Sequence, residues 1–324
     1  MPDKEDSGEK RKIRIGISQC LIGDKVRYDG GHKLDRFLTD TLGKWVEYVP
    51  VCPEVECGMP IPREPMHLEG NPESPRLVTI KTGIDKTDQM TSWARKRVAE
   101  LEKEELLGFI FKSDSPSSGM ERVKVYSEKG MASRNGIGMF ARIFMEHFPL
   151  LPVEEEGRLH DPELRENFIE RIFALARWRA IVAESRTRGG LVEFHTRHKL
   201  QILSHGTVYY QELGKLVARA NEAPLARLFE RYEKLLMEAL KIRTSAKKNA
   251  NVLMHMAGYF KKLISAAEKA ELLDIITQYR SNTVPLIVPI TLINHYVRKY
   301  DQPYLKEQYY LNPHPGELKL RNHA

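Results

Sequence analysis

Two spacings of apolar residues divide this chain. Up to about residue 185, short apolar runs alternate with amphipathic stretches, whereas beyond it apolar residues recur three and four positions apart almost throughout. In the first part the runs predict strands over 13–19, 46–51, 107–112 and 150–153, with a shorter strand near 77–81. Between them the pattern predicts a short helix around 33–42, a long amphipathic helix over 85–107 with Trp93, Val98 and Leu101 inward, and a helix near 136–147. A helix over 161–184 follows, opened by Asp161 ahead of Pro162, an N-cap followed by proline at the first helical position. Strands alternating with helices imply an α/β fold, a mostly parallel sheet with helices on both faces in the Rossmann manner. The second part predicts helices over 200–219, 224–241, 249–262, 266–279 and 286–300, hence an all-α domain. The helical pattern stops at the Gly189–Gly190 pair, which sets the expected domains at 13–185 and 186–324. Residues 1–12 are charged and almost free of apolar side chains, so a disordered tail is expected there.

Composition changes this picture little, but the distribution of charge changes it more. The chain is 41% hydrophobic and 29% charged, as globular proteins are. Its net charge of +7 hides an asymmetry: residues 186–324 carry 22 Lys and Arg against 12 Asp and Glu, while residues 1–185 carry 29 against 32. No acidic residue occurs from Ala239 through Ala267, a stretch that holds Lys241, Arg243, Lys247, Lys248, Lys261 and Lys262 beside Tyr259 and Phe260. Such a stripe reads either as a phosphate-backbone footprint or as a solvated helix face. RNA or DNA is the expected macromolecular partner, ahead of a membrane. The longest apolar stretch, 284–293, is interrupted by Pro285 and Pro289 and is too short to span a bilayer. An apolar signal core is absent from the first residues, and only three cysteines occur, so the expected compartment is the reducing cytoplasm.

Those three cysteines are the strongest chemical signal. Cys20 closes the first predicted strand, Cys52 closes the second, and Cys57 follows in the same loop. In an open α/β sheet, ligands collect beyond the carboxyl ends of the strands. Three thiolates meeting there suit iron–sulfur or zinc chemistry with one open coordination position; singly, each reads first as a buried structural thiol. Glu54 lies between Cys52 and Cys57, where a carboxylate beside a metal centre can exchange protons. Glu56 is the same residue type in the same loop with no motif behind it. A third strand-end loop, Ser115-Pro116-Ser117-Ser118-Gly119, offers hydroxyl and N–H donors next to Lys112, or is an ordinary turn. In the second part His195 and His198, three apart, could share a helix face, with phosphate contact or surface placement expected ahead of a metal site.

Taken together, Ser18-Gln19-Cys20-Leu21-Ile22-Gly23, Val51-Cys52-Pro53-Glu54-Val55, Pro62-Arg63-Glu64-Pro65 and Lys112 through Gly119 resemble the thiouracil desulfurase family over residues 12–185. The helical domain resembles the one fused to the longer, RNA-specific members, which remove sulfur from 4-thiouridine in tRNA. The resemblance implies a 4Fe–4S cluster on three cysteines with its fourth iron open, proton exchange at the position of Glu54, and a serine role at Ser115 or Ser117. Many members carry Cys where this chain has Ser118, so Cys20, Cys52 and Cys57 become the expected ligands. The function expected is desulfuration of 4-thiouridine in tRNA, or of free thiouracil. The alternatives are a zinc-dependent nucleobase hydrolase and a non-catalytic RNA-binding protein with structural cysteines.

Overall fold

The first strand, β1 (Ile13–Ser18), is buried on both faces at Ile15, Gly16 and Ile17, which places it inside a sheet. The structure, a computed structural model, describes residues 13–322, and the tail expected over residues 1–12 lies outside them. β2 (Val46–Val51), β5 (Gly108–Phe111) and β8 (Val153–Glu155) join β1 in a parallel sheet of order β2-β1-β5-β8. The register pairs Ser18 with Val51 and Phe111 with Glu155, so all four strands end along one edge. The two central strands, β1 and β5, are buried on both faces and read as mostly apolar runs, whereas the edge strand β2 leaves Glu47 and Pro50 exposed and β8 is Val-Glu-Glu. Helix α2 (Thr87–Glu102) buries Met90, Ala94, Val98 and Leu101, the last two as predicted. Helix α3 (Met139–His147) stacks Phe140 and Phe144 against Phe109 and Phe111 of β5.

A second sheet was not foreseen. β3 (Met66–Glu69), β4 (Arg76–Thr79), β6 (Val123–Tyr126) and β7 (Ala132–Gly136) form a mixed sheet of order β4-β3-β6-β7. Only β4 has a counterpart among the predicted strands. The others run four or five residues; β3 and β6 bury one face on a small core of Met59, Leu68, Leu77, Met90, Val123 and Val125, while β7 is exposed except at Gly136. The helix expected around 33–42 shrinks to irregular turns over Phe37–Thr41 and Leu42–Lys44.

The chain forms two compact units that divide between Gly157 and Arg158, ahead of the boundary expected near residue 186. Helix α4 (Pro162–Glu184) belongs to the second unit, where Trp178 packs on Phe194, Phe229 and Tyr232. Asp161 caps it as expected, accepting the N–H groups of Glu163 and Leu164. The second unit continues with α5 (Arg188–His205), α6 (Thr207–Ala218), α7 (Leu225–Lys241), α8 (Ala246–Ala257), α9 (Ala266–Arg280) and α10 (Ile287–Lys299). Moving the boundary leaves the charge asymmetry intact: residues 158–324 hold 27 Lys and Arg against 17 Asp and Glu, and residues 1–157 hold 24 against 27. Among the described residues, no helix is long and apolar enough to cross a membrane.

Candidate active site

Each strand of the parallel sheet delivers polar side chains at its carboxyl end. β1 runs into a 3-10 turn, Gln19–Ile22, which carries Cys20. β2 runs into Cys52, the N-cap of the one-turn helix α1 (Pro53–Glu56), with Pro53 opening the helix and Glu54 in its first turn. β5 runs into Lys112 and the loop 113–119, and β8 into Glu156. The Ser18 hydroxyl accepts the Lys112 backbone N–H at 2.9 Å, which ties the ends of β1 and β5 together. These segments enclose a cavity of about 320 Å³ lined by Cys20, Cys52, Glu54, Arg63, Lys112 and Ser118, among others.

Glu54 is the most firmly held of these groups. Ser117, fully buried, donates its hydroxyl to Glu54 Oε1 at 2.6 Å, the short length of a charge-assisted bond. Arg63 Nη2 lies 3.7 Å from Glu54 Oε2, and its Nη1 is fixed on the Val26 carbonyl at 3.0 Å. The Cys52 Sγ sits 3.6 Å from Glu54 Oε2. Ser117 itself does not line the cavity; it orients Glu54 from behind, whereas Ser115 and Ser118 face the cavity. Ser115 Oγ lies 3.0 Å from Ser117 Oγ and accepts the Ser118 N–H at 3.1 Å. The loop is anchored by α3, whose first N–H groups, from Met139 and Ala141, donate to the carbonyls of Pro116 and Ser117.

Lys112, expected at the site, reaches Glu156 Oε1 at 2.5 Å and the Ser113 carbonyl at 2.9 Å. Glu156 also accepts the Ser113 N–H at 2.7 Å. The sequence reading missed Glu156; its signal is the acidic run Glu154-Glu155-Glu156 at the end of a buried strand.

The three cysteines do not come together. Cys20 and Cys52 line the cavity, but Cys57 does not: its Sγ lies 3.3 Å from the Glu54 carbonyl, and its side chain packs against the small core of the second sheet. Among the described residues, no group of three or more His, Cys, Asp or Glu is set to hold a metal ion. Burial pushes the Cys20 thiol up to about 11 against the opposing pull of Lys112 and Arg27. Burial, reinforced by Glu54, pushes Cys52 up to about 12, and the same two causes take Cys57 to about 11. Such thiols become thiolates near neutral pH only beside added positive charge, as a metal supplies. The donor chemistry of Cys20 and Cys52 therefore suits a soft metal centre, while the three-thiolate set expected from the sequence does not fit this arrangement.

Glu56 is not the inert counterpart of Glu54 that the sequence suggests. Its Oε1 accepts the Cys52 backbone N–H at 2.9 Å and its Oε2 meets Arg97 Nε at 2.9 Å, so it holds α1 in place.

In the second unit, Lys241, Arg243, Lys247, Lys261 and Lys262 are exposed, with Arg243 3.6 Å from Glu163. Lys248 is different: its ammonium donates to the carbonyls of His205 and Arg243 at 2.8 and 2.9 Å and so caps the end of α5. His195 and His198 are buried, not on a surface. His195 Nδ1 bonds the Tyr232 hydroxyl at 3.1 Å. His198 donates from Nδ1 to the Phe194 carbonyl at 2.8 Å and accepts Arg177 Nε–H at 3.0 Å on Nε2.

A cleft of thiols and an oriented carboxylate at the carboxyl edge of a parallel sheet defines the first unit as an α/β domain with a strand-end site. Residues 15–156 match the family described as 2-thiouracil desulfurase, and residues 199–315 match a family described as a protein of unknown function (DUF1722). The chain is 33% identical over 153 residues to the uncharacterized protein YbgA of Escherichia coli (strain K12), a match spanning 47% of this chain and 90% of that one. It is 29% identical over 110 residues to the uncharacterized protein YbbK of Bacillus subtilis (strain 168), spanning 32% of this chain and 72% of that one. A solved structure of the [4Fe-4S]-dependent thiouracil desulfidase TudS aligns with 30% identity and a TM-score of 0.40, covering 48% of this chain and 97% of that chain. The chain belongs to the 2-thiouracil desulfurase family, in a long form that carries a C-terminal helical unit.

Proposed function

We propose that this protein removes sulfur from a thiolated uracil, with 4-thiouridine in tRNA as substrate and free thiouracil as a smaller one, giving uridine or uracil and sulfide. The observation that carries the reading is Glu54, held by Ser117 at 2.6 Å and standing 3.6 Å from the Cys52 sulfur on the cavity wall. In a hydrolytic course, water adds to the thiolated ring carbon and gives a proton to Glu54. Glu54 returns that proton to the sulfur, the C–S bond breaks with loss of hydrosulfide, and the added hydroxyl gives its remaining proton to Glu54 as the carbonyl forms. Ser117 and Arg63 keep the carboxylate oriented through these transfers, and Glu156 holds Lys112, which lines the same cavity.

The cofactor that belongs to this reading is an iron–sulfur cluster. In this reading Cys20 and Cys52 would hold it, with Ser118, which lines the same cavity where Cys57 does not, as a further donor. The excess of Lys and Arg in the second unit, with Lys241, Lys247, Lys261 and Lys262 exposed, supports tRNA as the carrier of the base.

The test is sulfide release from 4-thiouridine-containing tRNA and from thiouracil under anaerobic conditions. Glu54→Gln is expected to lower turnover of both by about 10²–10⁴-fold, the usual contribution of a proton-transfer group. No sulfide from either substrate with iron-loaded wild-type protein would sink the reading.

A further inference from the structure

The second sheet has an outer face that its own fold does not explain. Strand period two turns Leu68, Val123 and Val125 into the small core and puts His67, Lys124 and Tyr126 on the opposite face. There the His67 and Tyr126 rings stack with centroids 4.8 Å apart and planes at 28°. Lys124 on β6 stands directly opposite Arg134 on β7, a like-charge pair that works against the sheet. Asp114 lies 3.5 Å from Arg134 and offsets part of this, but Lys124 is exposed and meets no carboxylate among the described residues. Ile80, 53% exposed, completes the floor.

These side chains line a groove of about 320 Å³. Met66, Asp114 and Pro116 line both this groove and the thiol-bearing cavity, so the two are contiguous. The groove joins an aromatic stack, an apolar side chain and an unneutralised cation beside the place proposed for the thiolated base. Aromatic faces flanked by cations on a sheet surface are what single-stranded RNA uses for stacking and phosphate contact.

We propose that this groove binds the nucleotide adjoining the thiolated one, so that the first unit itself recognises its substrate as part of an RNA strand. The inference rests on the thiolated-uracil reading. One base enters the cavity, its neighbour stacks on the Tyr126–His67 pair, and the intervening phosphate meets Lys124. Arg134 stays with Asp114 and shapes the edge.

The experiment uses the full-length, iron-loaded protein with a fluorescently labelled trinucleotide containing 4-thiouridine, and with free 4-thiouridine. Tyr126→Ala is expected to weaken trinucleotide binding, read by anisotropy, by roughly 5- to 150-fold, the effect of one lost stacking platform. Tyr126→Phe should restore it. Lys124→Glu, which leaves the packing untouched, should weaken it too and flatten its salt dependence. The KM for free 4-thiouridine should stay unchanged in all three. Unchanged trinucleotide binding in both Tyr126→Ala and Lys124→Glu would overturn the inference, as would a KM for the nucleoside that rises in step. If no substrate turns over yet trinucleotide binding still depends on Tyr126 and Lys124, the desulfidase reading fails and the groove stands.

Discussion

Each unit buries a cluster of polar groups, and the two clusters are finished differently. In the first unit Cys20, Cys52, Glu54 and Ser118 all face a cavity large enough for a small heterocycle. In the second, Glu170 is fully enclosed: Gln201 donates to its Oε1 at 2.8 Å and His205 Nε2 lies 3.5 Å from its Oε2. His205 in turn bonds the Ile242 carbonyl through Nδ1. The first cluster opens onto a cavity, whereas the second joins α4 to α5 and the segment after α7. Residue type does not separate the two. The sequence sets the serines of the first half ahead of the histidines of the second, and in the structure Ser115 and Ser118 line the cavity while His195 and His198 are buried.

The comparison is broken most directly at the thiols. Cys20→Ala and Cys52→Ala are each expected to lose essentially all bound iron and all sulfide release, since a cluster needs its thiolates. Cys57→Ala should keep most of its iron and be felt mainly as a loss of stability. Iron measured per chain after anaerobic loading decides this, and iron lost from Cys57→Ala to the extent seen with Cys52→Ala would restore Cys57 to the site.

A smaller effect tests the enclosed cluster. Burial alone would raise the Glu170 carboxyl, but His205, Arg321 and the Gln201 hydrogen bond outweigh it and hold it down at about 2. A depressed carboxyl stabilises the fold above its unfolded-state pKa, and that contribution is lost as pH falls from about 4.5 towards 2. His205→Ala should therefore cost roughly 3–5 kcal/mol, as breaking one side of a buried pair does. Denaturant unfolding of wild type and variant at pH 7 and pH 3 measures both effects. A gap between them as large at pH 3 as at pH 7 would show that the pair does not carry the stability.

The smallest effects belong to the exposed lysines. Lys247→Glu, Lys261→Glu and Lys262→Glu together should reduce the salt dependence of tRNA binding by about one counterion per lost phosphate contact while leaving thiouracil turnover alone. Lys248→Glu should instead lower the melting temperature, because that ammonium holds carbonyls and not solvent. Affinity titrations over a range of salt concentrations, set beside melting curves, separate the two kinds of lysine.

How much of this was legible depends on the length and burial of each element. β1, β2 and β5 are visible as mostly apolar runs, so their strand-end loops are placed correctly, whereas β8, Val-Glu-Glu, lies at Val153–Glu155 and not at the expected 150–153. β3 and β6 are not visible, because short strands with one buried face leave only two or three apolar positions each, and β7 holds a single apolar residue, Ala132. Cys57 was misjudged for a geometric reason. It closes the single helical turn that Cys52 opens, and at 100° per residue a side chain five positions on points about 140° away. Ser117 and Ser115 were named together, yet only coordinates distinguish the one that orients Glu54 from the one that meets the cavity. His195 and His198 were read as a surface pair although Leu191 and Phe194 beside them mark that face of α5 as its buried one.

One close approach sets the timing of events at this site. A Cβ on Gly138 would fall 2.6 Å from the carbonyl carbon and oxygen of Ser117, so backbone meets backbone where α3 begins. Gly138 is required there for space and not for its dihedral angles, since its φ is −59°. The serine loop consequently has no room to relax towards α3, and the hydrogen bond from Ser117 to Glu54 is complete before any substrate arrives. On the proposed reading, binding then need not organise the proton acceptor, and the carboxylate is set in place during folding and not during turnover. An alanine at position 138 would return that step to the catalytic cycle.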